Sequence, residues 1–430
     1  MKIVYPAKLL ADRIKRNRNR LSEPYYSIEQ VFMPYDYGWP GDKEGRALLA
    51  FACHRKMGSE PIACLDQMLV ALPDRVNQYG YFGLPFEGIF DEQQLSGHSW
   101  YLRGLCTCVD FFGRTDLIPL IKATVEHLYL PLIGKIGSYP LGPREIGQVS
   151  GNTSSVSTEV WRLSTDVGCA FMSIDGLSHA YEITRDRRTL ALLDEMIETF
   201  SSIDLLAIRA QTHCSLSAAR GMLRMYHLLG RKKDLNNAIR IAELYRDHGM
   251  TLTFQNKNWW GRDDSWTEPC AIVDSMILFD QLHELTGEDQ YRRLAVRIAW
   301  NGLATAQRPN GGAGCETLVL AQKDCLSVHL YEAPFCCSLR LAEGLLYLKE
   351  NIKRFEATIS SPKRDERGRL MQGDLLMVPL KTQLSGYSEE RFFCKTEAGY
   401  YMPLPITLYM TEDEASRLKI PLTKGNLTNE

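Results

Sequence analysis

The stretch QLHELTGEDQYRRLAVRIAW, residues 281–300, decides the fold. Leu282 and Leu285 stand on one side of the turn TGEDQ; Tyr291, Leu294 and Ile298 stand on the other, at three- and four-residue steps. That period is helical, and the Gly-acid turn ends one helix and begins the next. The same sentence of helix, short polar turn and helix recurs as CVDFFGRTDLIPLIKATVE from Cys108, HAYEITRDRRTLALLDEMIE from His179 and RMYHLLGRKKDLNNAIRIAE from Arg224. The pattern predicts helices near 7–20, 42–57, 61–78, 96–113, 115–131, 168–184, 186–202, 211–229, 232–248, 268–286, 288–306 and 336–352. About six irregularly spaced hairpins predict an all-α (α/α)6 barrel, since a solenoid would keep a fixed period. A superhelical array of hairpins is the alternative. After residue 355 short β-like runs appear, GDLLMVPL, ERFFCKTE and YYMPLPITLYM. The expected organisation is a barrel over 1–355 and a short β-rich extension over 356–430.

Composition narrows the function classes. The 430 residues are 45% hydrophobic and 24% charged, with a formal net charge of −2, so an ordinary globular core is expected and no basic stripe points to nucleic acid. No apolar run reaches about 18 residues, which argues against a membrane span. MKIVYPAKLLADRIKR is not the pattern of a secretory leader. The twelve cysteines therefore read as reduced thiols in a cytoplasmic protein. Homo-oligomer formation is left open.

The stretch YEAPFCCSLRLAEGL, from Tyr331, sets Cys336 beside Cys337 at a helix start. Adjacent cysteines pair poorly with each other, so partners must be sought elsewhere. WTEPCAIVDSM, from Trp266, offers Glu268 and Cys270 flanking Pro269, at the start of another helix. Mid-helix, residues two apart diverge; at a helix start the backbone is still turning and both side chains can converge. Two such starts could supply a four-coordinate site from Glu268, Cys270, Cys336 and Cys337, and zinc suits thiolate and carboxylate donors best. From spacing alone, buried reduced cysteines with an unrelated capping glutamate remain an equal reading.

These segments together resemble glycoside hydrolase family 127, the β-L-arabinofuranosidase family. The family's Glu-Thr-Cys motif, Thr-Gly-Asp turn, Tyr-Asn-Gly and Cys-Cys pair correspond to Glu268-Pro269-Cys270, Thr286-Gly287-Glu288, Trp300-Asn301-Gly302 and Cys336-Cys337. GHSWYLRGL resembles its Gly-His-Leu-Ile stretch and places His98 near the site. The likeness is clearest over 210–350 and fainter over 40–130. It implies an (α/α)6 barrel, a Zn2+ held by Glu268, Cys270, Cys336 and Cys337, and Cys336 as nucleophile toward a small oligosaccharide or glycoside.

Two departures accompany the resemblance. The family's acid/base glutamate lies in a loop before the Glu-Thr-Cys motif, but QNKNWWGRDDSWTEP has no glutamate before Glu268. Asp263, Asp264, Glu316 and Glu332 are the remaining acids, with Asp264 and Glu316 taken as the catalytic candidates. The chain after residue 355 is also too short for the family's β-sandwich domains. For substrate contacts the loops offer Trp259, Trp260, Trp39 and Tyr37 as stacking faces, with Asp42, Glu44, His98 and His213 as polar groups. The competing readings are another α/α-barrel carbohydrate enzyme, such as an epimerase or lyase with a structural zinc site, or a non-catalytic carbohydrate-binding relative.

Overall fold

The structure is a computed structural model. It describes residues 6–33, 38–58, 64–141, 153–251, 253–262, 265–318, 327–357, 363–372, 375–380, 394–396, 399–401 and 406–417. Its helices, in chain order, are α1 (Pro6–Leu21), α2 (Ile28–Phe32), α3 (Asp42–Lys56), α4 (Cys64–Ala71), α5 (Glu92–Phe112), α6 (Ile118–Thr124), α7 (Ser173–Thr184), α8 (Arg187–Ser202), α9 (Thr212–Leu229), α10 (Lys232–Leu244), α11 (Pro269–Thr286), α12 (Asp289–Arg297), α13 (Ala304–Ala306), α14 (Leu339–Glu350), α15 (Ile352–Ala357) and α16 (Glu412–Arg417). No helix among the described residues is long and apolar enough to cross a membrane.

The hairpin turns explain where these helices stop. Gly113, Gly230 and Gly287 close α5, α9 and α11 with φ of 65°, 68° and 74°. That left-handed conformation costs glycine nothing and lets its N–H reach an orphan helix carbonyl. The fourth turn, TRDRR, has no glycine, and Arg185 takes the same place at φ 54°. A side chain there costs roughly 1–2 kcal/mol, so this turn is imposed by the packing of its helices. Asp186 then caps α8 through the Arg188 N–H.

Burial sorts the long helices into two kinds. α3, α5, α7, α9, α11 and α14 are buried on nearly every face, whereas α8, α10 and α12 bury one stripe and expose the rest. A helix buried all round must be walled in by other elements, and a striped one forms an outer layer. From α7 to α12 the two kinds alternate along the chain, which is the order an α/α hairpin fold requires.

The chain divides into two compact units. One comprises Ser22–Gly249 with Trp259–Arg262; in it α3 packs on α5, α5 on α7 and α7 on α9. β1 (Phe90–Asp91), β2 (Thr153–Ser157) and β3 (Trp161–Ser164) add a small sheet to it, ordered β1-β3-β2. The other comprises Met1–Leu21, Met250–Asn258 and Asp263–Glu430, where α11 packs on α12 and α14, and α14 on α1. It holds a sheet of β4 (Trp266–Thr267), β5 (Gly314–Leu318) and β6 (Ser327–Glu332), with β5 central and antiparallel to both neighbours. The β-like runs near the C-terminus form β7 (Lys363–Arg364), β8 (Leu370–Gln372), β9 (Leu375–Leu380) and β12 (Ile406–Met410) in one sheet, with β10 (Cys394–Thr396) and β11 (Gly399–Tyr401) as a ribbon. α2 and the two- to six-residue strands β1–β6 fall outside the helices expected from sequence.

Candidate metal centre

The sheet β4-β5-β6 builds the site. β4 ends at Thr267 and passes Glu268 into α11; β6 ends at Glu332 and passes Ala333 into the π-helical turn Pro334–Ser338 that opens α14. Because β5 runs antiparallel to both, the two helix starts lie at the same end of the sheet. Glu268 is extended (φ −131°, ψ 115°), and its N–H donates to Asn256 Oδ1 at 2.7 Å. Its side chain does not cap α11, and Pro269 takes the first helical position where no N–H is needed. The carboxylate is thereby available to Cys336, whose Sγ lies 3.7 Å from Glu268 Oε1. π-Helical turns widen the helix and concentrate at functional sites; this one presents Cys336 and Cys337 together.

The four donors converge. Cys270 Sγ is 3.5 Å from Cys336 Sγ and 3.9 Å from Cys337 Sγ, and the sulfurs of Cys336 and Cys337 are 3.9 Å apart. A disulfide would bring two sulfurs to about 2.05 Å. A tetrahedral cation with metal–sulfur bonds of about 2.3 Å and metal–oxygen bonds of about 2.0 Å separates neighbouring sulfurs by about 3.8 Å and sulfur from oxygen by about 3.5 Å. The observed edges match that tetrahedron within a few tenths of an ångström, and all four ligand atoms lie within 4.8 Å of one another. This set of one glutamate and three cysteines is therefore fit to hold a metal ion. Glu268, Cys270 and Cys337 are buried, while Cys336 is half-buried and is the donor with access to solvent.

A fourth sulfur adjoins the cluster. The Cys270, Cys315 and Cys336 side chains, and then burial, push the Cys337 thiol well above the usual thiol range. Cys315 is buried on β5 opposite Tyr331, and sequence reading missed it because its only signal was its place in a strand. One helical turn beyond the donors, Asp274 of α11 pairs with Arg340 of α14, both fully buried, and Arg340 also pairs with Glu343. This ties the two helices whose first residues carry the cysteines. Gly302, in the Trp-Asn-Gly step, is needed for another reason: a Cβ there would lie 2.2 Å from Phe254 O.

The acid/base candidates fare differently. Asp263 and Asp264 lie outside the described residues. Glu316 sits on β5 opposite Thr267 and His329, and its side chain is likewise outside the description. Glu332 is fully engaged: Oε1 accepts from Arg20 Nε at 2.8 Å and Ser338 Oγ at 3.0 Å, and Oε2 accepts from Asn310 Nδ2 at 2.8 Å. Both of its oxygens are thereby spent on holding α1, the Asn310 loop and the start of α14 together.

The candidate substrate residues His98, His213, Trp259, Trp260 and Asp42 belong to the other unit. His98 is buried on α5, with Nδ1 2.7 Å from Gln94 O and Nε2 accepting the Phe82 N–H at 2.9 Å. Both ring nitrogens are thus used in one neutral tautomer, and burial lowers its pKa to about 4. Asp42 grips Arg46 Nε through both oxygens at 2.9 Å. The Arg46 guanidinium lies 4.1 Å above Trp100, whose ring stacks on His213 at 5.6 Å. Asp42 and His213 are therefore ends of one buried polar and aromatic column. Burial raises the pKa of the neighbouring Glu44 to about 7. Trp259 and Trp260 are fully buried, and Trp260 Nε1 donates to Ser215 Oγ at 2.9 Å. Trp39 is half-buried, and Tyr37 lies outside the described residues.

No family model matches the chain, and no curated protein matches it. Solved structures do. A cellobiose 2-epimerase from Bacillus thermoamylovorans matches 79% of this chain over 100% of its own, at 13% identity and a TM-score of 0.53. A GH127 β-arabinofuranosidase matches 87% of this chain at 11% identity and a TM-score of 0.52, and the chain spans 61% of its length. An unsaturated glucuronyl hydrolase specific for heparin matches 80% of this chain over 98% of its own, at 11% identity and a TM-score of 0.55. Sequence identity this low speaks to the fold, and the fold is all-α, of the (α/α)6-barrel class.

Proposed function

We propose that the protein is a zinc-dependent retaining glycoside hydrolase, similar in chemistry to β-L-arabinofuranosidases, with Cys336 as its nucleophile. The observation that carries this reading is the tetrahedral grouping of Glu268, Cys270, Cys336 and Cys337, with Cys336 alone half-buried. The likeness in fold to a GH127 β-arabinofuranosidase and to other sugar-active enzymes supports it. When bound, Zn2+ supplies the positive charge that keeps the sulfurs ionised at neutral pH. The Cys336 sulfur then attacks the anomeric carbon; the carbon–sulfur bond forms as the glycosidic carbon–oxygen bond breaks. A protonated carboxylic acid gives its proton to the departing oxygen, and Asp264 and Glu316 are the candidates for that acid. The resulting carboxylate takes a proton from water, whose oxygen attacks the same carbon and returns Cys336 as thiolate. Three thiols at one site suit a reducing compartment, the cytoplasm. We place this chemistry in residues 1–355, with 356–430 as an appended element.

A second reading is a sugar epimerase, favoured by the chain's match to the entire length of a cellobiose 2-epimerase. The cysteine cluster would then brace the structure only. The two readings separate in one experiment. The metal-loaded protein is incubated with an arabinofuranose-configured epoxide and digested for mass spectrometry. An adduct on Cys336 and one equivalent of zinc are expected. Labelling elsewhere, or less than about half an equivalent of metal, rejects the hydrolase; epimerised disaccharide by NMR would establish the alternative.

A further inference from the structure

The hairpin from Gln307 to Ala313 closes the end of the β4-β5-β6 sheet at which the four donors gather. Gln307 bridges to Ala313, the Arg308 N–H donates to Gly312 O at 2.8 Å, and Ala313 O accepts the Ala333 N–H at 3.0 Å. The loop is also fastened to α1. Arg16 Nη1 reaches Pro309 O at 3.2 Å, Asn17 Nδ2 reaches Gly311 O at 3.0 Å, and Gln307 Nε2 reaches Arg13 O at 2.9 Å. Gly312 has no room for a side chain, since a Cβ would lie 2.1 Å from Glu332 Oε1. The backbone of Arg308 is therefore fixed.

Arg13, Arg16 and Arg20 of α1, the helix to which the loop is fastened, all have acceptors. Arg13 Nη1 donates to Ala304 O at 2.7 Å and to Gln307 Oε1 at 3.4 Å. Arg16 Nε donates to Asp12 at 2.7 Å, and Arg20 Nε to Glu332 at 2.8 Å. Arg308 is the exception. It is only 8% exposed, yet its Nε and Nη2 are buried and meet no acceptor among the described residues. Glu332, the nearby carboxylate, is already taken by Arg20, Asn310 and Ser338. Nε and Nη2 form one edge of the guanidinium, a fork whose spacing matches the two oxygens of a planar carboxylate. A charged edge shut away from water and without an acceptor among the described residues is costly to folding and is what a protein retains for a ligand.

We propose that Arg308 is a substrate-binding residue whose Nε/Nη2 edge takes the carboxylate of a uronic acid unit, so that the glycoside processed here is acidic. The proposal rests on the carbohydrate reading above and narrows its substrate class. The hairpin that carries Arg308 adjoins the end of the sheet at which Cys336 lies, as a site for a glycoside spanning the two requires.

The test uses the full-length, metal-loaded protein and measures binding of D-galacturonate and D-glucuronate by calorimetry and thermal shift, with L-arabinose and sodium sulfate at matched ionic strength as controls. Saturable stabilisation by a uronate, absent with arabinose and weaker with sulfate, is expected. R308M should lose the uronate response and melt no lower than the wild type, because it removes an unpaired buried charge. R308K, which keeps the charge and loses the fork, covers the case in which R308M does not fold and should bind uronate at least about tenfold more weakly. A wild type indifferent to both uronates, a sulfate response equal to theirs, or an R308K of unchanged affinity overturns the proposal. Uronate binding through Arg308 in a protein that carries no metal and cleaves nothing would refute the hydrolase and leave this site standing. Cleavage of neutral arabinofuranosides with no uronate response would do the reverse.

Discussion

Replacing Cys270 by serine tests the metal centre most directly. Cys270 follows Pro269 in the first turn of α11 and is fully buried, with its sulfur 3.5 Å from Cys336 and 3.9 Å from Cys337. Serine keeps the shape and the helix start but supplies a hydroxyl that does not ionise near neutrality. A complete four-ligand structural zinc site is worth about 10–16 kcal/mol of apparent binding free energy, so one donor in four accounts for about 3 kcal/mol. Zinc affinity should fall by about two orders of magnitude. Competition against a chromophoric chelator at pH 7.5 reads this loss. Cobalt substitution gives a second signature, because sulfur-to-cobalt charge-transfer absorption should drop by about a third when three thiolates become two. Cys315→Ser is the control: that sulfur adjoins Cys337 but lies outside the donor set, so affinity should stay near wild type. A C270S protein with wild-type affinity and an undiminished cobalt band would refute the four-donor site.

Cys336→Ala should abolish turnover and leave the protein unlabelled by the epoxide, while intact mass under native conditions still detects some bound metal through the three remaining donors. Asp274→Asn, which removes the charge-assisted tie between α11 and α14 and leaves the buried Arg340 with Glu343 as its remaining carboxylate, should destabilise the protein by about 1–3 kcal/mol in urea unfolding. His98 has a folded-state pKa near 4, below its usual 6.5, so the unfolded chain binds the extra proton between those values; stability should fall by about 3 kcal/mol as pH drops through that window, and His98→Gln should flatten the profile. Glu44 acts with the opposite sign, because its folded-state pKa near 7 exceeds the usual 4.5 and its contribution is lost as pH rises from the lower value through the higher; Glu44→Gln should therefore steepen the acid-side loss that the wild type shows.

The parts of this molecule that could be read beforehand are those in which one residue type has one physical job. A Gly after a periodic apolar run ends a helix, so TGEDQ, LGRKK and FGRTD mark turns that Gly287, Gly230 and Gly113 close in the left-handed region. TRDRR was readable for a different reason: the amphipathic period on either side is strong enough to force Arg185 into the same conformation. The helix period likewise places most of the long helices to within a few residues of their ends, α5 starting four residues earlier than the spacing suggests because Asp91 caps it there. Glu268, Cys270, Cys336 and Cys337 could be grouped because side chains at helix starts have freedom to converge, and they do. What eluded the sequence depends on pairings too short to have a period. β4 is two residues long, and only its registry against β5 shows that both helix starts share one end of a sheet. Cys315 and Arg308 become meaningful only through that registry, as does the exhaustion of Glu332 by Arg20, Asn310 and Ser338. Spacing identifies groups that could act; the count of partners each one already has decides which are still able to. By that count Glu332 is spent and Arg308 is not, a distinction that no pattern in PNGGAGCET or YEAPFCC contains.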